Sequence, residues 1–293
     1  MRKHPVIFGI FLLILIIVLF FIVIYGIATF SGDRSSFSLK DKIGIVTVEG
    51  IMKDSSSVVN QLVRYGKDNS IKAVVLRIDS PGGGVVSAQE TYKTVLSLKK
   101  KKKVVVSMGS VAASGGYYVA CAADKIVANP GTITGSIGVI VNFSNVEELL
   151  KKIGLKTSNI KSGRYKDIGS PLRKMTPDER KLIKGVIDDI HDQFLEAVSL
   201  NRKISKEKIS DIADGRIFTG RQALKIGLVD YLGDKKYAIN IAAKLSGIKG
   251  EPEVVYPEEK GLKLWKYIVK EMVSVVVSEL GEEGSGISYL YLK

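Results

Sequence analysis

Short apolar segments alternate with helix-like segments through the middle of this sequence, and the alternation limits the folds open to it. The segments that we predict as strands are residues 43–48, 73–78, 104–108, 125–128 and 137–141. Residues 85–98, between the second and third of these, have the length and spacing of a helix. Strands that alternate with helices predict an α/β fold with a largely parallel sheet.

Two further helices have clear start signals. Thr176 precedes Pro177, Asp178 and Glu179, which is a capping pattern with proline at the first helical position. We therefore predict a long helix over residues 176–201. A shorter helix is predicted to begin near residues 219–222, where a threonine again precedes a glycine and a glutamine.

An apolar run without a charged residue extends over residues 6–30. A helix needs roughly 20 residues to span a bilayer core, whereas the apolar stretch of a cleaved signal peptide has about 7–15. Arg2 and Lys3 precede the run and favour a cytoplasmic location for this flank. We therefore expect one N-terminal transmembrane helix, an uncleaved single-pass anchor in the cell membrane, with the body of the protein on the extracytoplasmic side.

The sequence divides into four parts on these patterns. Residues 1–30 form the cytoplasmic stub and the membrane anchor, and residues 31–40 form a serine-containing linker. Residues 41–250 form the main α/β domain. Residues 251–293 begin with a helical stripe and end in a tail whose glycines indicate flexibility.

Charge and composition exclude several classes of protein. The net charge is +14, but the lysines are spread along the chain and no nucleic-acid-binding motif is present, so we expect no nucleic-acid partner. The densest lysine run, residues 99–103, fits either a helix C-terminus or attraction to an anionic membrane surface.

The single cysteine, Cys121, excludes an intramolecular disulfide. Neither His4 nor His191 has metal-ligand spacing, and we expect no metal or cofactor.

A glycine-rich segment, Asp-Ser-Pro-Gly-Gly-Gly, occupies residues 79–84 directly after a predicted strand. Glycines allow a close backbone approach, and an oxyanion hole needs free N–H groups that point at a carbonyl. An ordinary strand-to-helix turn is the alternative. The spacing matches neither a P-loop nor the G-x-G-x-x-G pattern.

Two other residues are candidates for chemistry. Ser114 follows a predicted strand and precedes a helix-like segment, where a serine is either a nucleophile near the positive end of the helix dipole or simply an N-cap. Its segment differs from the G-x-S-x-G pattern because Ala112 replaces the first glycine. Lys166 lies in a polar segment and, taken alone, would be an ordinary surface lysine.

Taken together, these segments resemble the signal peptide peptidase family of serine–lysine proteases, also called protease IV, and especially its shorter members. The resemblance covers about residues 41–250 and the anchor. Its motifs, in the order and spacing of the family, are residues 79–84, 113–118, 134–138 and 162–167. It implies a fold similar to that of Clp protease and crotonase.

The resemblance also implies a role for each site residue. The residues that match the catalytic positions are Ser114 as the nucleophile, Lys166 as the general base and Ser136 as the group that orients the lysine. The implied oxyanion and substrate-binding residues are Gly83, Gly84 and Gly115. A lysine acts as a base only when it is neutral, which burial favours. Asp167 would oppose this, so we expect it to point away from Lys166 or to pair with a cation.

The implied function is that of a membrane-bound serine endopeptidase that cleaves apolar peptides such as signal-peptide remnants. The resemblance further implies a ring-shaped homo-oligomer in which the serine and the lysine of one site come from neighbouring subunits. Three alternatives stay open. They are a serine hydrolase with His191 as its base, an acyl-CoA enzyme of the crotonase type, and a non-catalytic membrane scaffold.

Overall fold

The computed structural model describes residues 12–16, 18–20, 22 and 41–257. The chain divides into two units, residues 1–41 and 42–293. The described residues up to residue 22 are helical. Within the described ranges, no helix combines the length and the apolar character that crossing a membrane requires. Most of the predicted anchor, the predicted linker and everything after residue 257 lie outside these ranges.

Eight strands and eight helices make up the described part of the second unit. The strands are β1 (Lys42–Glu49), β2 (Ile71–Ser80), β3 (Lys103–Ala113), β4 (Lys125–Ala128), β5 (Ile133–Gly135), β6 (Ile217–Thr219), β7 (Tyr231–Leu232) and β8 (Glu253–Val255). The helices are α1 (Ser56–Lys67), α2 (Val85–Lys99), α3 (Gly115–Ala120), α4 (Glu147–Lys152), α5 (Pro177–Arg202), α6 (Lys206–Ser210), α7 (Gly220–Lys225) and α8 (Lys235–Leu245).

The described strands form one sheet in the order β6-β5-β3-β2-β1-β8, and β4 pairs with β3 and β7. In the centre of the sheet, Val46 pairs with Leu76 and Leu76 pairs with Val106. The pairings are parallel except that of β5 with β6. The predicted α/β class and the largely parallel sheet are therefore confirmed.

Both faces of the sheet are buried. Val46, Leu76 and Val106 belong to the larger core cluster, whereas their neighbours along the strands, such as Val75 and Val105, belong to a second cluster that includes residues of α8. Successive side chains of a strand point to opposite faces, so strands covered on both faces are almost continuously apolar. This explains the unbroken valine and isoleucine runs in the sequence.

Most of the predicted elements are confirmed, and one strand is wrong. The predicted strands at residues 43–48, 73–78, 104–108 and 125–128 correspond to β1, β2, β3 and β4, and the helix at residues 85–98 corresponds to α2. The strand predicted over residues 137–141 is absent, because the strand in this region is β5 and it ends at Gly135. Gly135 and Ser136 have φ angles of +80° and +50°, which extended strands do not accommodate.

Capping explains where two helices begin. Thr176 and Thr219 each form a complete capping box with the residue three positions later, Glu179 and Gln222.

Near the end of the described residues, β8 pairs with β1, so the sheet extends past the predicted domain limit at residue 250. Cys121 is a buried core residue, and its burial raises the pKa of its thiol to about 12.

The parallel topology brings three candidate segments to one place. β2, β3 and β5 are parallel neighbours, and their carboxyl ends lead into residues 79–84, Ser114 and Ser136. The carboxyl edge of an open parallel sheet is where ligands of α/β proteins bind. We therefore expect the functional site at this edge of the sheet.

Candidate active site

Ser114 connects the end of β3 to the start of α3 and has a strained backbone. Its φ and ψ are 52° and −121°, a conformation that costs a residue other than glycine of the order of 1–3 kcal/mol. Hydrogen bonds hold it on both sides: its N–H donates to the Gly135 carbonyl at 2.9 Å, and its carbonyl accepts from the Tyr118 N–H at 2.9 Å. Nucleophilic serines of hydrolases are presented on strained strand-to-helix turns of this kind.

The hydroxyl of Ser114 is not used by the fold. Ser114 occupies the N-cap position of α3, but its side chain makes no capping hydrogen bond. Among the described residues, its Oγ has no hydrogen-bond partner, and the side chain lines a cavity. The alternative that Ser114 serves simply as an N-cap is therefore not supported, because its hydroxyl does not cap the helix.

The glycine-rich segment after β2 packs directly against Ser114. A Cβ atom on Gly82 would lie 2.7 Å from the Gly115 nitrogen and 2.9 Å from the Ser114 Cβ, so no larger residue fits there. The turn is held by Ser80, whose Oγ donates to the Gly50 carbonyl at 2.6 Å and accepts from the Gly82 N–H at 3.1 Å. The backbone of the segment therefore approaches Ser114 as closely as the sequence pattern predicted.

Two backbone N–H groups beside Ser114 are unused. Within the described part of the chain, neither the Gly83 N–H nor the Gly115 N–H donates a hydrogen bond. A Cβ atom on Gly115 would lie 3.4 Å from the Gly83 nitrogen, so the two groups are close to each other. The Gly84 N–H donates to the Met52 carbonyl at 2.8 Å. Gly84, which was expected to supply an oxyanion contact, therefore has no N–H left for a substrate.

A cavity of about 100 Å³ opens beside Ser114. Most of the side chains that line it are apolar or aromatic: Val85, Ala88, Tyr118, Val139, Ile140, Ile190 and Phe194. Sequence reasoning did not assign these residues to the site. The available signals were that Val139 and Ile140 follow the predicted Ser136 motif and that Ile190 and Phe194 are four residues apart on the predicted long helix.

Ser136 lies next to Ser114 because of the β3–β5 register. Ala113 pairs with Gly135 in parallel, so the next residues of the two strands are neighbours. Ser136 is half-buried, and its N–H donates to the Arg216 carbonyl at 2.8 Å. Both serines have a positive φ angle, which marks a pair of strained residues side by side at the carboxyl edge of the sheet.

Lys166 is not brought to Ser114 within the chain. Its side chain is exposed, its N–H donates to the Gly163 carbonyl at 3.1 Å, and it does not line the Ser114 cavity. One chain thus brings Ser114, Ser136 and Gly83 to one edge of the sheet and leaves the lysine outside the cavity beside Ser114.

Asp167, the neighbour of Lys166, pairs with other cations. Its carboxylate accepts hydrogen bonds from Arg173 Nε at 2.9 Å and Nη2 at 2.8 Å, and it also pairs with Lys161. Arg173 and then Lys161 hold the pKa of Asp167 well below its usual range. The expectation that Asp167 would pair with a cation is confirmed.

Arg173 also ties the Lys166 segment to the start of α5. Its Nη1 donates to Glu179 Oε2 at 2.8 Å. The hydrogen bonds from Arg173, and then the one from the Thr176 N–H, lower the pKa of the buried Glu179 to about 2. Glu179 is the capping-box partner of Thr176. The position of the lysine segment therefore depends on ion pairs and a helix cap rather than on a hydrophobic core.

The described residues do not assemble a serine–histidine–aspartate triad. His191 lies half-buried on α5, its buried Nε2 has no hydrogen-bond partner, and it does not line the Ser114 cavity. A triad base needs hydrogen bonds to the nucleophile and to an orienting group. Among the described residues there is also no group of histidine, cysteine, aspartate and glutamate side chains that fits a metal ion.

We predict that Gly83→Ala lowers kcat by at least about 10²-fold, the usual effect of losing one oxyanion donor. Gly83 has a φ angle of +153°, and a Cβ atom there would lie 2.5 Å from the Met52 oxygen and 2.6 Å from its nitrogen. The backbone must move to accommodate it, and the N–H moves with the backbone. Steady-state hydrolysis of a peptide, the reaction that the sequence resemblance implies, measures this effect, with circular dichroism as the folding control.

Gly84→Ala is the matched control for this prediction. A Cβ atom on Gly84 would meet its nearest neighbour, the Met52 oxygen, at 3.4 Å, which is an ordinary contact. The φ angle of Gly84 is −61°, which any residue adopts. We expect Gly84→Ala to keep near-native turnover, and equal losses in the two variants would contradict the assignment of Gly83 as the donor.

The site contains an unbonded serine hydroxyl beside two unused N–H donors. The hydroxyl can act as a nucleophile, and the N–H groups can bind an oxyanion. Serine peptidases are among the proteins that carry these groups at the edge of such a sheet. Family comparison agrees. The sequence model of peptidase family S49 matches residues 97–249, and that of Clp protease matches residues 33–132. The chain belongs to peptidase family S49, and the enzyme is a serine peptidase.

Individual relatives agree with this assignment. A candidate protease of Synechocystis sp. is 45% identical over 72% of this chain and 76% of the relative. A candidate signal peptide peptidase of Enterococcus faecium is 34% identical over 69% of this chain and 63% of the relative. Protease 4 of Haemophilus influenzae is 36% identical over 71% of this chain and 35% of its own length.

Proposed function

We propose that this protein is a membrane-bound serine endopeptidase that cleaves apolar peptides, such as signal-peptide remnants, with a serine–lysine dyad. The observation that carries the proposal is the state of Ser114. Its strained backbone presents an unbonded hydroxyl to an apolar cavity, next to the unused N–H groups of Gly83 and Gly115. A fold has no structural use for this combination, whereas acyl transfer requires it.

In the proposed reaction, Ser114 Oγ attacks the carbonyl carbon of the scissile peptide bond. The neutral amine of Lys166 takes the hydroxyl proton, while the N–H groups of Gly83 and Gly115 bind the oxyanion. The C–N bond then breaks, and the lysine ammonium gives its proton to the leaving amine. Water attacks the resulting ester with the lysine as base again, which releases the acid and restores the serine. Ser136 orients the lysine amine beside Ser114.

Two features support an apolar, extended substrate. The cavity beside Ser114 is lined mainly by apolar side chains. Among the described residues, the backbone of residues 139–145 makes no backbone hydrogen bond, and this segment begins at the cavity. Proteins commonly bind extended peptides by pairing with such an open backbone edge. The relative from Enterococcus faecium is named for signal peptides, which agrees with an apolar peptide as the substrate.

Membrane attachment is proposed from the sequence. The apolar run over residues 6–30 and the basic residues before it support a single-pass anchor with an extracytoplasmic catalytic domain. Hydrolysis of signal-peptide remnants fits this location, because these substrates are themselves apolar segments that leave the secretion machinery in the membrane.

We further propose that the lysine acts on the serine of a neighbouring copy. No residue between positions 138 and 178 is buried, and we call this segment the arm. Its exposed large apolar side chains include Ile140, Val141, Phe143, Leu149, Ile153, Leu155 and Ile160. A segment that exposes this many large apolar side chains and has no core of its own marks an interaction surface. The arm carries Lys166, so a second copy that covers the arm also receives the lysine, and repetition of this contact closes a ring.

Co-assembly of two inactive variants tests the proposal. We expect Ser114→Ala and Lys166→Ala to be inactive alone and to regain activity when they are co-expressed. In a random equal mixture, roughly a quarter of the sites combine an intact serine with an intact lysine from the neighbouring chain, as expected for a heterologous ring. The measurement is hydrolysis of an apolar peptide by purified mixed oligomers.

Co-expression of Ser114→Ala with the double variant Ser114→Ala/Lys166→Ala is the matched control, and it should stay inactive. The two single variants can be given different affinity tags so that mixed oligomers are purified in tandem. Mixed oligomers of the single variants that show no turnover would contradict the shared site. A Lys166→Ala variant with full activity would contradict the dyad itself.

A further inference from the structure

The edge of the sheet opposite Ser114 is rich in lysine. The amino ends of the parallel strands lie there, together with the carboxyl ends of α1, α2 and α8 that lead into them. We define the basic edge by its cations, which are Lys42, Lys67, Lys72, Lys99, Lys100, Lys101, Lys102, Lys103, Lys125 and Lys244. The acidic residues on the same edge are Asp41, Asp68, Asp124, Asp230 and Glu253.

Several of these lysines are used by the fold. The ion pairs are Lys42–Glu253 at 3.4 Å, Lys103–Asp124 at 3.6 Å and Lys125–Asp230 at 3.5 Å. Lys99 Nζ donates to the Ala122 carbonyl at 2.9 Å, and Lys102 Nζ donates to the Tyr65 carbonyl at 2.6 Å. These lysines of the basic edge therefore have partners within the fold.

Lys67, Lys100 and Lys101 are different, because they are exposed and have no ion-pair or hydrogen-bond partner for their ammonium groups among the described residues. A helix dipole favours cations only within its last turn, and α2 ends at Lys99. It explains Lys67, in the last turn of α1, and Lys99, but not the lysines that continue after α2. The fold therefore gives no reason for the further positive charge of Lys100 and Lys101.

The chain enters the domain through this same edge. β1 begins at Lys42, and the predicted anchor ends at residue 30. Only residues 31–41 separate the predicted anchor from this edge along the sequence. Ser114 lies at the other end of β3, a strand of 11 residues and hence about 36 Å long.

We propose that the basic edge docks on anionic lipid headgroups of the membrane that holds the anchor. This inference rests on the membrane attachment proposed above. Headgroup phosphates complement the unpaired ammonium groups, and each lysine close to an anionic membrane surface strengthens binding roughly fivefold.

The test uses the full chain in nanodiscs of phosphatidylcholine alone or of phosphatidylcholine mixed with phosphatidylglycerol. Acetylation rates of individual lysines are measured by mass spectrometry. Lys100 and Lys101 should react at least about threefold more slowly in the anionic discs, and added salt should remove the difference because it screens surface charge. Lys53 is the control, because it is exposed and follows β1 at the carboxyl edge; its rate should not change.

Equal acetylation of Lys100 and Lys101 in the two kinds of disc would overturn the proposal, and so would an equal slowing of Lys53. The variant Lys100→Glu/Lys101→Glu provides a second readout. It should remove the lipid dependence of Lys67 acetylation, and unchanged hydrolysis of a short soluble peptide shows that it is folded. Protein that is not retained in phosphatidylcholine discs would contradict the anchor instead, so the two failures are distinguishable.

Discussion

Ser114→Ala is expected to lower kcat by about 10⁶-fold, the usual consequence of removing the nucleophile of a serine peptidase. The Ser114 Oγ makes no hydrogen bond among the described residues, so its removal leaves no partner unsatisfied. The midpoint of thermal unfolding should therefore stay within a few degrees of the wild-type value. The measurement is peptide hydrolysis by protein purified from a host that lacks competing peptidases, together with a thermal melt.

Two other variants separate chemistry from folding. Ser110→Ala removes an exposed hydroxyl from the same strand and should keep full activity. Ser114→Gly should be as inactive as Ser114→Ala but more stable than it by about 1 kcal/mol, because glycine adopts the φ angle of +52° without strain. Near-native turnover of Ser114→Ala would assign the nucleophile to another residue.

Lys166→Arg is expected to lower kcat by at least about 10⁴-fold, although it preserves the positive charge. Arginine stays protonated at any relevant pH and cannot accept the serine proton. General-base catalysis contributes about 10²–10⁴-fold, and the dyad partners act as a unit, so the loss approaches that of the nucleophile. The measurement is kcat over a range of pH, because no pH value should restore the activity of this variant.

Lys156→Arg is the matched control, since this lysine is exposed on the same arm and should tolerate the exchange. His191→Ala should also remain active, because His191 has no hydrogen bond to Ser114 or to a carboxylate among the described residues. An active Lys166→Arg enzyme, or an inactive His191→Ala enzyme with native stability, would support the histidine mechanism.

Local signals predicted much of the fold. The buried strands are unbroken apolar runs, and Thr176 and Thr219 carry the capping pattern that the structure contains. Helix α8 was not predicted, because its apolar contacts depend on the second face of the sheet, and that face is known only from the topology. The strand predicted at residues 137–141 was wrong. Gly135 and Ser136 have positive φ angles, and a pattern of hydrophobic residues does not predict these angles.

The site was less accessible from the residues alone. A serine at the start of a helix predicts a cap, and only the backbone conformation of Ser114 shows that its hydroxyl does not cap. Gly83 and Gly84 are equivalent in sequence, and only the hydrogen bond from the Gly84 N–H to Met52 distinguishes them. The roles proposed for Ser136 and Lys166 came from the family resemblance, because neither residue differs in type or pattern from ordinary surface residues.

The exposure of the arm has a consequence for when the newly synthesised enzyme becomes active. If the base reaches the serine only across a contact between copies, a single chain is inert, and no propeptide or inhibitor is needed to keep it so. Activity then rises with the local density of the enzyme in the membrane and disappears on dilution. A peptidase of this kind is harmless to its neighbours while its copies are dispersed, and it becomes active only where enough copies have accumulated.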